Sequence, residues 1–231
     1  MKRVALVANL CIAVVLVGIS FVVFTVDLSG VFITVSAPLT NGNRANNNVA
    51  LMIRVCEISP YVALMGEMLA QHDVDATFFV TGAWVSSNME LTAQLATNFE
   101  IGNHAWNHHD MRNLSESRQR NEISSTSKLI DSVTAAMGQT VNLFTPPKGN
   151  FSRTTLRAAE RQGLTTVMWS RDTEDNRMDC PDTTFTRATE NVRNGDIVLI
   201  HPTSHTLLAL PRIIEHFQSN GMNLTRVSNA L

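Results

Sequence analysis

Residues 49–55 read VALMIRV, six apolar side chains and one arginine. An apolar run this short, bounded by turn-forming residues, suits a strand buried on both faces. Six more runs of the same kind follow: ATFFV (76–80), FEIGN (99–103), VNLF (141–144), TTVMWS (165–170), DIVLI (196–200) and NLTRV (223–227). Between them YVALMGEMLAQH, MELTAQLATN, SESRQRNEISSTSKLIDSVTAAM, SRTTLRAAERQ and HTLLALPRIIEHFQS place apolar residues at helical spacing. Ser115 and Ser152 stand where helices should be capped, and Gly138, Gly163 and Gly221 where they should stop. A regular β-α alternation of this kind predicts an α/β fold, with a parallel sheet or a βα barrel.

The body of that fold is expected over residues 48–231. Upstream, residues 28–47 read as a stalk ending in NGNRANNN, which favours turns and offers nothing to bury. Residues 4–26 form an uncharged apolar run of 23 residues behind Lys2 and Arg3. At ~1.5 Å per residue such a helix spans the ~30 Å hydrocarbon layer, so residues 1–27 are expected to be a single-pass anchor. The basic flank then stays cytoplasmic and the body is extracytoplasmic. The competing reading is a signal segment cleaved near Ser36-Ala37, which would release a secreted domain. Of the three cysteines, Cys11 lies in the apolar run, and Cys56 and Cys180 do not make a disulfide framework. A formal net charge of -2 gives no electrostatic reason to expect nucleic acid as a partner.

Parallel α/β folds gather ligands at the C-terminal ends of their strands. There the chain carries Arg54, Val55, Cys56 and Glu57, then His104, His108 and Asp110, then Thr145-Pro146-Pro147-Lys148-Gly149, then Asp172 and Asp175, and lastly His201. His104 and His108 are four apart; a helical turn would put them on one face, near enough to share a metal. Two ordinary polar histidines fit the same spacing. His201 closes a buried strand, either as a structural residue or as a general acid oriented by a carboxylate. The two prolines before Lys148 fix a turn that could aim its N–H inward as an oxyanion donor, or simply make a loop.

In this order the segments resemble the polysaccharide deacetylase family, the NodB-homology carbohydrate esterases. VALMIRVC followed by ATFF is similar to that family's first motif, an apolar strand leading into Thr-Phe-Asp-Asp-Gly and later Ala-Thr-Phe-Phe. EIGNHAWNHHDM resembles its metal-histidine motif, FTPPKG its Phe-Arg-Pro-Pro-Tyr-Gly, WSRDTEDN its Asp-x-x-Asp-Trp, and IVLIHPT its Leu-x-His. The resemblance implies an irregular (β/α)7-type barrel and an N-acetylated polysaccharide, such as peptidoglycan, as ligand. It implies a divalent metal, zinc above all, held by His104, His108 and an aspartate. By the same resemblance His201 is the acid, Asp175 the carboxylate that tunes it, Pro147 and Lys148 line the substrate, and Leu199 walls the acetyl pocket.

Four positions depart from that pattern. Arg54 stands where the resemblance places the basic aspartate, Val55 at the metal aspartate, Thr145 at the arginine that holds the base, and Asn176 at a tryptophan. A cation beside two imidazoles repels a dication, so metal is expected to be weakly held or absent and hydrolysis lost or much reduced. The alternatives are an active deacetylase whose metal or base is rebuilt from Cys56, Glu57 or Asp172, and a non-catalytic carbohydrate-binding envelope protein. Strand alternation opposes Cys56 to Val55, so a Cys56 ligand is expected to need a bulge.

Overall fold

The computed structural model describes residues 36–177 and 180–231. The expected anchor, residues 4–26, lies outside them. In chain order the elements are β1 (Asn48–Val55), α1 (Tyr61–Gln71), β2 (Thr77–Val80), α2 (Gly82–Ser87), α3 (Met89–Asn98), β3 (Glu100–Asn103), α4 (Glu116–Thr134), β4 (Leu143–Phe144), α5 (Arg153–Glu160), β5 (Thr165–Thr166), β6 (Arg171–Asp172), α6 (Pro181–Thr189), β7 (Ile197–Ile200), α7 (Ser204–Ser219), β8 (Asn223–Thr225) and α8 (Val227–Ala230).

The strands form one parallel sheet in the order β5-β4-β3-β2-β1-β7-β6, with β8 added beside the start of β1. It curls into a half-barrel whose two edges, β5 and β6, are ends of a single stretch. That stretch begins on β4, where Val167 donates to the Phe144 carbonyl at 2.8 Å. Three residues on it has changed partner, with Ser170 donating to the Ile197 carbonyl at 3.1 Å and Arg171 in register with Val198. The single strand expected over 165–170 is therefore two short ones with different neighbours. An apolar run records burial and carries no information about which strand it pairs with.

Alternation along β1 sorts the core into two layers. Val49, Leu51, Ile53 and Val55 pack with the helices, whereas Ala50 and Met52 pack inside the curl with Phe79, Leu199 and the partly buried Trp169. The helices answer with amphipathic faces; in α1 the buried residues are Val62, Met65, Gly66 and Leu69, one stripe at helical spacing. Ser115 and Ser152 do cap α4 and α5. Gly138, Gly163 and Gly221 all take left-handed φ values, which helix ends commonly require. Helices α2, α6 and α8 were not expected, and the strand expected over 223–227 ends at Thr225. α6 is led by Pro181 and buries Thr184, Ala188 and Thr189, with Phe185 partly buried against the core, so its apolar stripe is short and interrupted by threonines.

Residues upstream of the expected boundary at 48 also contact the body of the fold. Leu39 pairs with Val167, Asn41 with Asp196, and the Arg44 guanidinium binds Asp196 at 2.9 Å. Residues 39–44 of the expected stalk thus strap the seam between the β5 and β7 sides of the curl. Gly42 permits the closest approach, since a Cβ there would lie 1.9 Å from the Ala230 carbonyl oxygen. Gly42→Ala is expected to destabilise the fold by about 1–3 kcal/mol, read as a lower denaturant midpoint at unchanged m-value. An unchanged midpoint would show that the strap contributes nothing to stability.

Candidate functional site

The period-two alternation that buries Ala50 and Met52 also turns Arg54 inward, where it is only 7% exposed. In-register pairing of Ile53 with Ile200 brings the ends of β1 and β7 together, so Arg54 meets His201. The Arg54 Nε and Nη2 lie 3.2 and 2.8 Å from His201 Nε2, and the guanidinium carbon stands 4.6 Å over the Trp169 ring. A guanidinium only donates, so His201 Nε2 accepts and the ring proton sits on Nδ1. Nδ1 donates to Asp175 Oδ1 at 2.6 Å.

Asp175 is fully buried and saturated. Its Oδ2 takes the His201 backbone N–H at 2.8 Å and the Thr206 hydroxyl at 2.6 Å. Burial alone would raise this carboxyl, but the hydrogen bonds from His201 and Thr206 outweigh it and hold it below the ordinary carboxylate range. The His205 ring donates to the Asp175 carbonyl, steadying the turn from the other side. Trp169, His205 and Thr206 were not singled out from the sequence. Their only trace there is position, an aromatic just before the Asp172-Asp175 segment and two polar residues just after His201.

His104 and His108 do meet, but not through a helix. The loop after β3 turns at Ala105 and His108, both with left-handed φ near +59° and +56°. Asn103 Oδ1 accepts the Ala105 N–H, and the Glu122 carboxylate accepts the N–H groups of Trp106 and Asn107. The two ring centroids end 5.0 Å apart. The His104 Nδ1 donates to the Thr145 carbonyl at 2.8 Å, leaving its buried Nε2 without a partner. Burial first, then the Arg54 charge, holds His104 well below its usual pKa. His108 is lowered to about 4 by burial, then by Arg54 and Lys148. Both rings are neutral lone-pair donors at neutral pH.

Two such donors are half of a metal site. Among the described residues no group of three His, Cys, Asp or Glu side chains is placed to hold an ion. Val55 is packed into the helix-side core, facing away from the cavity. Cys56 lines the cavity without any bulge, because alternation puts it on the same side as Arg54; its thiol is pushed up by burial and then by Glu57, which favours the protonated form. Glu57 is exposed, and so is Asp172, whose Oδ1 caps the Glu174 N–H at 2.9 Å. With a cation facing two neutral imidazoles and no anionic ligand beside them among the described residues, this set does not fit a divalent metal.

A cavity of about 780 Å³ opens over this floor, lined by Arg54, His108, Lys148, Asn176 and His201 together with the 56–61 loop. Lys148 has a left-handed φ of +59° on its rim. Pro147 and Leu199 are buried and do not line it.

The sequence profile of the polysaccharide deacetylase family matches residues 44–167. The uncharacterised protein YlxY of Bacillus subtilis is 33% identical over 195 residues, 84% of this chain and 60% of YlxY, so the chain spans well under two thirds of that relative. A peptidoglycan-N-acetylglucosamine deacetylase of Bacillus cereus is 30% identical over 178 residues, covering 74% of this chain and 82% of that protein. Among solved structures, a wild-type CE4 family pseudoenzyme from Bacillus anthracis superposes with a TM-score of 0.80 at 33% identity, covering 84% of this chain and 68% of that one.

Two measurements follow from the histidine geometry. The folded-state pKa of His108 lies below the ordinary 6.5, so its contribution to stability is present above 6.5 and is lost as pH falls toward about 4. His108→Gln is expected to flatten the melting temperature across that window; an unchanged slope would contradict a neutral, half-buried ring. The incomplete donor set predicts that chelation leaves the melting temperature where it was. Stoichiometric zinc surviving dialysis against a mild chelator would overturn it.

Proposed function

This chain belongs to the polysaccharide deacetylase family, and from that premise we propose that it binds an N-acetylated cell-wall glycan with deacetylation lost or much reduced. The observation that carries this reading is the Arg54 guanidinium bonded to His201 Nε2. The family's chemistry needs a base to remove a proton from the attacking water and an acid to protonate the leaving amine. Arg54 supplies no base, and loss of a general base typically costs ~10²–10⁴ in rate. It also takes the lone pair of the nitrogen that would have to carry the acid's proton, while Asp175 holds the ring's one proton on the far side.

The other departures are consistent with this. Thr145, at the position where the family's arginine would hold the basic aspartate, adds no charge beside Arg54; that aspartate or that arginine kept alone in a closed site would cost several kcal/mol. The cavity is retained, large enough for a sugar and open at the rim. A close relative's name supplies the ligand class, since the Bacillus cereus protein is a peptidoglycan-N-acetylglucosamine deacetylase. The apolar residues 4–26, behind a basic flank, support a domain held on the outer side of the cell membrane.

Acetate release from N-acetylglucosamine oligomers and from peptidoglycan is expected to be absent or at least ~10²-fold below an active family member assayed alongside. Release at ordinary rates, abolished by His104→Ala, would refute loss of catalysis and support a rebuilt site. Titration with chitooligosaccharides and peptidoglycan fragments tests retention of the groove, and binding with no turnover is the expected result.

A further inference from the structure

Among the described residues Arg54 is a buried cation with no counter-anion bonded to it, although the charges of Asp172 and Asp175 reach it from further off. Among the described residues its directly bonded partners are a neutral imidazole and an aromatic face, and its Nη1 has no hydrogen-bond acceptor at all. Of the carboxylates around it, Asp175 is bonded to His201 and Thr206, Asp172 gives one oxygen to the Glu174 N–H, and Glu57 is exposed on the cavity wall; none of them bonds the guanidinium. An uncompensated charge in such a place is costly, and a partner supplied by the ligand would relieve it. The guanidinium floors the cavity, and Lys148 adds a second cation on its rim. The facing imidazoles His104 and His108 are neutral, so they do not compete as anions. The positive charge lies where a dication site would require negative charge.

We infer that the Arg54 floor of this cavity is a carboxylate-binding site, which selects a glycan unit bearing an acidic substituent over a neutral N-acetylated sugar. A carboxylate seated there takes the unused guanidinium N–H in a charge-assisted hydrogen bond and gives Arg54 the counter-charge that its neighbours withhold. The inference rests on the glycan reading above for its source of carboxylate. The recognition chemistry itself would equally hold a free small carboxylate.

The full-length chain is titrated calorimetrically with N-acetylmuramic acid, with N-acetylglucosamine, and with sodium acetate. The acidic sugar is expected to bind about tenfold or more tightly than the neutral one, the worth of a charge-assisted hydrogen bond. Raising the salt concentration should narrow that gap, Arg54→Gln should abolish it, and Arg54→Lys should retain part of it. Because the comparison between ligands needs only the wild-type chain, misfolding of a variant does not spoil the test. Acetate binding that Arg54→Gln removes, with neither sugar bound, supports the carboxylate site and overturns the glycan reading. Equal affinity for the acidic and neutral sugars overturns the carboxylate site and leaves the glycan reading standing. Absence of binding by all three overturns both.

Discussion

Strand β1 is hydrogen-bonded to β2, β7 and β8, and both of its faces are buried. Its register is the constraint from which the rest of the site follows. Period two sends Ala50, Met52 and Arg54 into the curl and Val49, Leu51, Ile53 and Val55 toward the helices. A slip of one residue would drive the guanidinium into an apolar layer, so the register is strongly held. The same register with β7 sets His201 beside Arg54, and from that one contact the tautomer of His201 and the role of Asp175 are determined.

A buried guanidinium reorganises the chemistry of everything around it. The imidazole of His201 becomes an acceptor, with its proton kept on the side of Asp175. The charge also keeps His104 and His108 neutral, in addition to the effect of burial. Trp169 covers one face of the cation, replacing by quadrupole attraction part of the hydration it has lost. The site is therefore organised around one buried cation, which touches an acceptor nitrogen and an aromatic face.

Much of this was legible in the chain before any fold was built. The apolar runs gave strands within a few residues wherever they were long, as at 49–55, and the serine and glycine signals marked helix ends where backbone geometry required them. Legibility failed where local composition and long-range pairing part company. The stretch 165–172 changes partners halfway, α6 buries threonines and alanine, and residues 39–44 look like solvent-facing turn formers yet strap the barrel's seam. The loop holding His104 and His108 is shaped by Asn103 and by Glu122, which is far along the chain, so spacing alone suggested a helical turn that is not there.

By itself the sequence determined the α/β alternation, the order of the motifs, and an arginine and a valine at the end of the first apolar run. Those are properties of single positions and short periods, which the chain carries locally. Tertiary structure alone decided that Arg54 and Cys56 face the cavity while Val55 faces the core, that Arg54 lies on His201 and Trp169, and that the histidines find no third ligand among the described residues. Side-chain direction at a strand's end depends on pairing with strands more than a hundred residues away, and no local pattern encodes that pairing.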